Sequence, residues 1–107
     1  MSVDFIRSDN VLCAVLTGEI DHHTASDMRI LIDSEAERIM PKTLILDFSG
    51  VQFMDSSGIG LILGRKKHVE SMDGALFIKN ALPCVRKIIS LAGLEGLILS
   101  DKTERKK

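Results

Sequence analysis

Short apolar runs alternate with stretches of helical periodicity along this chain. Val11 to Thr17 is apolar and β-branched, ends at Gly18 and follows a weaker run across Ser8-Asp9-Asn10, a pattern that predicts an opening β-hairpin. Thr43 to Phe48 is almost entirely apolar, as expected for a strand buried on both faces, with Asp47 at its exit. The predicted strands are Val3 to Arg7, Val11 to Thr17, Thr43 to Phe48, Ala75 to Ile78 and Leu97 to Leu99.

The first helical segment is predicted from Thr24 to Met40. Thr24, with Asp27 three positions later, indicates an N-cap that imitates a capping box. Pro41 disfavours helical backbone at the residue before it, so the helix should end there. The apolar residues recur at three- and four-residue spacing and are Met28, Leu31, Ile32, Ala36, Ile39 and Met40.

Two further helices follow the buried strand. One is predicted from Ser56 to Met72, and the other from Pro83 to Ala92, where Gly93-Leu94 indicates a Schellman stop. Both show one apolar face, as amphipathic helices packed on a core do. The earlier helix is expected to turn Ile59, Ile62, Leu63 and Val69 inward and Arg65, Lys66 and Lys67 away, and the later one to bury Val85, Ile88 and Ile89.

Strands that alternate with helices predict an α/β domain with a mainly parallel central sheet, helices packed on it and an N-terminal hairpin strand. The 107 residues, 45% of them hydrophobic, are enough for one core and too few for two ordinary domains. Residues 1–100 are therefore predicted to form a single domain. Residues 101–107 are polar and charged and are predicted to be a mobile tail.

Composition narrows the possible functions. A net charge of −1 without a block of like charge argues against nucleic-acid binding. No apolar stretch is long enough to cross a bilayer and no signal peptide is recognisable at the N-terminus, so a cytoplasmic protein is expected. Cys13 and Cys84 lie in apolar surroundings and are predicted to be reduced core thiols. Neither a metal site, since His22 and His23 are adjacent and without a second ligand cluster, nor a cofactor is expected.

The segment that could carry chemistry is the start of the second helix. There a buried strand and a loop deliver Ser56 and Ser57 to the first helical turn, directly after Asp55. Free backbone N–H groups and the helix dipole favour an anion at such a turn, so a phosphate on Ser56 would be compatible with the helix. Asp-Ser-Ser-Gly at a helix start serves equally well as a simple cap, and these residues alone leave the choice open.

Two sequence blocks resemble a known family. They are Gly18-Glu19-Ile20-Asp21-His22-His23-Thr24-Ala25 and Phe53-Met54-Asp55-Ser56-Ser57-Gly58-Ile59-Gly60. In this order and spacing they are similar to the bacterial anti-sigma factor antagonists, whose fold is the sulfate-transporter-and-anti-sigma-antagonist (STAS) domain. The Asp21-His22-His23 variant, with Ile62-Leu63-Gly64-Arg65 downstream, most resembles the sporulation members that control sigma F. The similarity extends over nearly the whole chain and implies a regulator of transcription that is not an enzyme.

The resemblance also implies a regulatory residue. In this family the serine after the motif's Asp, here Ser56, is phosphorylated by an anti-sigma factor that is itself a serine kinase. The unphosphorylated form binds that kinase and displaces the sigma factor, and a serine phosphatase restores the binding form. Asp21 would add to the repulsion of a phosphate if the fold brings its loop close, although it is equally suited to a loop or cap role. The implied partner contacts are Asp21, His22, Met54, Asp55, Ser56, Ser57, Gly58, Ile59, Gly60 and Leu61, with Met54, Ile59 and Leu61 at the rim.

The same segment suggests two alternative functions. A small nucleotide-binding α/β domain would use the glycines around Gly58 to Gly64, but their spacing fits neither G-x-G-x-x-G nor a P-loop. A serine hydrolase would use Ser56 or Ser57 with a histidine, but Met54 and Asp55 stand where the nucleophile elbow needs glycine. Under the family resemblance Ser56 is a substrate rather than a catalyst.

Overall fold

The strands form one sheet in the order β1-β2-β3-β4, in a computed structural model that describes residues 1–99. The strands are β1 (Ser2–Ser8), β2 (Val11–Thr17), β3 (Thr43–Gly50) and β4 (Ala75–Lys79). β1 pairs antiparallel with β2, because only Asp9 and Asn10 separate them, whereas β2–β3 and β3–β4 are parallel and joined through helices. The predicted hairpin and mainly parallel sheet are confirmed.

Three helices cover one face of this sheet. They are α1 (His22–Ile39), α2 (Ser56–Glu70) and α3 (Pro83–Leu91). Successive side chains of a strand point to opposite faces of the sheet, so every second strand residue points towards the helices. These side chains and the apolar faces of the helices form one core. The core includes Leu12, Ala14, Leu16, Met28, Ile32, Leu44, Leu46, Phe48, Ile62, Val69, Leu76, Ile78, Val85 and Ile89.

Helix α1 starts earlier than predicted. Its N-cap is Asp21 rather than Thr24: the Asp21 Oδ1 accepts from the backbone N–H of His23 at 2.9 Å and of Thr24 at 3.0 Å. The Thr24 Oγ1 accepts from the Asp21 N–H at 2.9 Å, which closes a capping box. Thr24 is thus the N3 residue of a capping box whose N-cap is Asp21. The helix ends at Ile39 with Met40 as C-cap, before Pro41 as predicted.

The predicted orientation of α2 is wrong at two positions, and the helix ends at Glu70 rather than Met72. Leu63 is 47% exposed, whereas Arg65 is only 6% exposed. The reason is that α2 packs against α1 as well as the sheet, and Arg65 lies on the side that faces α1. Its Nε lies 2.7 Å from the Asp33 Oδ1, so the buried guanidinium has an ion-pair partner.

The C-terminal part of the described chain combines a confirmed prediction with a wrong one. The Leu94 N–H donates to the Ile89 carbonyl at 3.1 Å and the Gly93 N–H to the Ser90 carbonyl at 3.0 Å, which is the predicted Schellman motif. The predicted strand from Leu97 to Leu99 is instead a 3₁₀ turn, Glu95–Leu97, followed by a single bridge between Ile98 and Ile78. The Schellman motif and the turn leave too few extended residues for a strand.

The two cysteines differ in their surroundings. Cys13 is buried and free, as predicted, and burial raises the pKa of its thiol. Cys84 is also free but exposed, so its prediction as a core thiol is wrong. It lies on the outer side of the first turn of α3, where its Sγ is 3.5 Å from the Gln52 carbonyl. The predicted tail, residues 101–107, lies outside the described residues.

Candidate functional site

Backbone hydrogen bonds hold the loop before α1 against the loop before α2. The Ile20 N–H donates to the Phe53 carbonyl at 3.0 Å, and the Asp55 N–H donates to the Ile20 carbonyl at 3.1 Å. Ile20 and Met54 thereby form an isolated parallel bridge beyond the ends of β2 and β3. The two blocks that carry the family resemblance are thus neighbours in space, and Asp21 follows directly on the residue bonded to Asp55.

The cap of α2 is formed without Ser56. Asp55 is the N-cap, and its Oδ1 accepts from the Ser57 N–H at 2.8 Å, while its carbonyl accepts from the Gly58 N–H at 3.0 Å. Ser56 is exposed, and within residues 1–99 its hydroxyl has no hydrogen-bond partner. Because Asp55 already satisfies the helix end, the Ser56 hydroxyl is available for a chemical reaction.

A groove lies between the first turns of α1 and α2, beside these residues. Its volume is about 230 Å³. Ser57 and Gly60 line it from α2, and His22 and Arg29 line it from α1, with Arg65 deeper in the groove. The complete lining is His22, Ala25, Ser26, Arg29, Ser57, Gly60, Leu61 and Arg65. Four of the predicted contacts therefore border a concave surface with a cationic wall: His22, Ser57, Gly60 and Leu61.

Asp21 has both of the roles that its sequence left open. It caps α1, and it lies beside the start of α2. The backbone N–H of Thr24, and then that of His23, holds the pKa of the Asp21 carboxyl below its ordinary value, so it is ionised at neutral pH. His22 and His23 are exposed, with ring centroids 5.5 Å apart in an edge-to-face arrangement.

Two of the predicted rim contacts are core residues. Met54 is 1% exposed and Leu61 is 3% exposed, so neither side chain forms an exposed rim of the site, although Leu61 lines the groove. Gly58 is buried as well, and a Cβ there would overlap the Cγ and Sδ of Met54. Met54 lies four residues after β3, in the bridge with Ile20, and its side chain packs against Gly58, where it supports the start of α2. Ile59 is half-buried and remains at the edge of the site.

The cationic side of the groove was not predicted from the sequence. Arg29 lies seven residues after His22, which is two helical turns, so the two side chains share a face of α1. That spacing could have indicated a shared surface once α1 was placed. The position of Arg65 could not have been inferred in this way, because it depends on how α1 packs against α2.

The geometry bears on the alternative functions. Gly58, Gly60 and Gly64 all lie inside α2, so they form no loop that could wrap around a phosphate. Within the described part of the chain, no hydrogen bond joins His22 or His23 to a serine of the site, as a hydrolase would need. Residues 1–99 hold no group of three potential metal ligands, and none of their helices is long and apolar enough to span a membrane.

Comparison with known proteins assigns the chain to a family. The family model described as the STAS domain matches residues 2–106. The chain therefore belongs to the STAS domain family.

Several relatives within that family are named anti-sigma factor antagonists. A protein of Paenibacillus polymyxa named anti-sigma F factor antagonist is 33% identical over 94 residues, which cover 88% of this chain and 80% of the relative. Its namesake in Lysinibacillus sphaericus is 38% identical over 89 residues, covering 83% and 75%. The anti-sigma factor antagonist SpoIIAA, solved in its unphosphorylated form, matches with a TM-score of 0.81 at 29% identity, over 96% of this chain and 92% of that one. The phosphorylated form of SpoIIAA matches with a TM-score of 0.73 at 28% identity, over 99% and 100%.

Proposed function

We propose that this chain is an anti-anti-sigma factor that acts by partner switching in the cytoplasm. Unphosphorylated, it binds an anti-sigma factor serine kinase and so releases a sigma F-like factor for sporulation transcription. Phosphorylation of Ser56 ends that binding until a serine phosphatase removes the phosphate. The observation that carries the proposal is the exposed Ser56 hydroxyl, free of hydrogen bonds within residues 1–99, on a helix start that Asp55 already caps.

The relatives support the choice of function. The two curated relatives are named antagonists of an anti-sigma F factor, and SpoIIAA has been solved in a phosphorylated as well as an unphosphorylated form. Because SpoIIAA exists in both phosphorylation states, it supports a phosphorylation switch in a chain that presents a serine hydroxyl at the exposed start of a helix. Ser57 is the poorer acceptor, because it is half-buried at the edge of the groove.

Charge and desolvation explain how the phosphate would act. It adds about −1.5 to −2 charges at pH 7, next to the carboxylate of Asp55 and close to that of Asp21. The adjoining surface includes the half-buried Ile59 and the open Gly60, where a partner can approach closely. A phosphate brought into that contact would keep its charge only at a high desolvation cost. Partner binding should therefore weaken, while the fold should remain intact.

The direct test uses the purified protein, the candidate anti-sigma kinase and ATP. Mass spectrometry of the peptide that spans both serines should find one phosphate, on Ser56. The Ser57→Ala variant is the matched control and should still be phosphorylated, whereas Ser56→Ala should not. Phosphate on Ser57 alone, or on neither serine, would contradict the proposal.

A binding experiment tests the switch separately from the kinase reaction. Ser56→Ala should stay folded and bind the anti-sigma factor as tightly as the unmodified protein does, even after incubation with ATP. Ser56→Asp should bind poorly. Ser34→Asp adds the same charge at an exposed position of α1, three turns beyond the start of that helix, and should bind normally. Equal binding by all three variants would mean that charge at the start of α2 does not control recognition.

A further inference from the structure

The groove between the first turns of α1 and α2 is basic, although the chain as a whole is slightly acidic. The full sequence has 15 aspartates and glutamates against 14 lysines and arginines. Of the eight residues that line the groove, however, none is acidic, whereas two are arginines and one is a histidine. Its volume of about 230 Å³ is several times the roughly 30 Å³ that one water occupies in the liquid, so a side chain of a partner can enter it. These features favour an anionic occupant.

Arg29 brings a positive charge to the groove that the described chain does not neutralise. It is exposed, and within residues 1–99 its guanidinium has no ion-pair partner. The carboxylates of the neighbouring Asp21 and Asp55 accept hydrogen bonds from backbone N–H groups of the helix starts, and neither residue lines the groove. Arg29 is therefore available to a negative charge from outside the chain.

Arg65 supplies a second cation, deeper in the groove. It is 6% exposed, its Nε lies 2.7 Å from the Asp33 Oδ1, and its Nη1 donates to the Leu61 carbonyl at 3.4 Å. A guanidinium has five N–H donors, and within residues 1–99 the Arg65 Nη2 makes no hydrogen bond, so donors remain unused. Burial lowers the pKa of Arg65, Asp33 raises it, and the nearby positive charge of Arg29 lowers it further. One added carboxylate would therefore be attracted to two neighbouring cations.

We propose that the groove receives an aspartate or glutamate side chain of the anti-sigma factor, whose carboxylate pairs with the guanidinium of Arg29 and with the unused donors of Arg65. This inference rests on the proposed function, which supplies the partner. A guanidinium binds a carboxylate through two parallel hydrogen bonds, a geometry that fixes the orientation of the partner. The Ser57 hydroxyl, which also lines the groove, can donate a further hydrogen bond. Arg29 thus determines which partners the site accepts.

The same contact explains why a phosphate on Ser56 would release the partner. Ser56 directly precedes Ser57, so the phosphate would lie at the border of the groove. Its negative charge would repel the incoming carboxylate, and its three acceptor oxygens would compete for the arginine donors. The groove would then hold either the carboxylate of the partner or the phosphate of the chain itself, but not both.

Titration of the unphosphorylated full chain with the purified anti-sigma factor tests the role of Arg29. Arg29→Ala should raise the dissociation constant by at least about tenfold, and Arg29→Glu by about a hundredfold, because the reversed charge also repels the carboxylate. Rising salt should weaken binding of the parent more than binding of Arg29→Ala. Full affinity of Arg29→Glu would overturn the proposal.

Arg38→Glu is the matched control for this titration. It makes the same substitution in the same helix, but nine residues further on and therefore on the opposite face, since the helix has about 3.6 residues per turn. The pair that Arg38 forms with Glu35 is at the surface and contributes little. This variant should bind within about twofold of the parent. Circular dichroism identifies any variant that is unfolded.

A charge exchange with the partner tests the carboxylate itself. Each exposed aspartate and glutamate of the anti-sigma factor is replaced by lysine in turn. One replacement should weaken binding of the parent chain and improve binding of Arg29→Glu by at least about tenfold, since it restores opposite charges. Absence of any such replacement would overturn the proposal. So would a loss of affinity in Arg29→Glu that occurs only with nucleotide bound to the kinase, because the groove would then bind a nucleotide phosphate.

Phosphorylation assays separate a failure of this proposal from a failure of the proposed function. Arg29→Glu should still be phosphorylated on Ser56, with a raised KM and an unchanged kcat, because Arg29 contributes to binding rather than to the reaction. If this variant is bound and phosphorylated like the parent, the groove proposal alone is wrong. If the unmodified chain neither binds the anti-sigma factor nor is phosphorylated on Ser56, both proposals are wrong.

Discussion

Two glycines on the same helix should respond in opposite directions to one added methyl group. A Cβ on Gly58 would overlap the Cγ and Sδ of Met54, which is only 1% exposed and would have to shift within the core. Overpacking of this kind costs about 1–3 kcal/mol, whereas alanine gains up to about 1 kcal/mol over glycine in a helix. Gly58→Ala should therefore lower the free energy of unfolding by about 1 kcal/mol.

The matched variant is Gly60→Ala. No atom lies within 4 Å of the position that its Cβ would occupy, so only the gain in helix propensity applies. This variant should be more stable than the parent by about 0.5–1 kcal/mol. Because both substitutions share the propensity term, the difference between them isolates the overlap with Met54, and it should be about 1–3 kcal/mol.

Urea denaturation followed by circular dichroism measures this difference. The midpoints of the two variants should be separated by about 1 M. Met54→Ala, introduced into the Gly58→Ala background, should remove most of the cost of the added methyl group, since contacting residues are not additive. Equal stability of the two alanine variants would show that the start of α2 does not depend on close packing over Met54.

Further predictions concern the groove, the ion pair, the cap of α1 and the thiols. Gly60→Ala should weaken binding of the anti-sigma factor while stabilising the fold, because its methyl group enters the groove; unchanged affinity in a titration would exclude the groove from the interface. Arg65→Ala removes the 2.7 Å partner of the Asp33 carboxylate and leaves, within residues 1–99, only the His68 Nε2, at 4.0 Å, near it; the change should cost about 3 kcal/mol in urea denaturation, and a cost near zero would contradict the ion pair. The lowered pKa of Asp21 means that its ionised form adds stability above the ordinary carboxyl pKa of 3.8 and loses it as pH falls through the folded-state value. Asp21→Asn should therefore show a shallower acid-side loss of stability, and identical pH profiles would refute the assignment. A thiol reagent should modify Cys84 rapidly in the folded protein and Cys13 only on unfolding, as mass spectrometry of the digested protein would show.

The sequence by itself determined the elements and the class of fold. The apolar runs and helical periodicities placed the four strands and three helices correctly, because the period of a hydrophobic pattern is a local property of the backbone; the fifth predicted strand, Leu97 to Leu99, was too short for such a period to decide. Local turn chemistry was predicted equally well at Gly93, where the chain needs a positive φ of 82°. The resemblance carried by the two sequence blocks indicates Ser56 as the regulatory residue without any knowledge of the geometry.

Only the tertiary structure decided which residues meet. The burial of Arg65 beside α1, the core position of Met54 and the groove between α1 and α2 each depend on the packing of elements distant in the chain. A pattern along one helix shows which face is apolar, but not which neighbour lies against the other faces. The same holds for Asp21, whose place next to the start of α2 comes from backbone hydrogen bonds between two loops more than thirty residues apart.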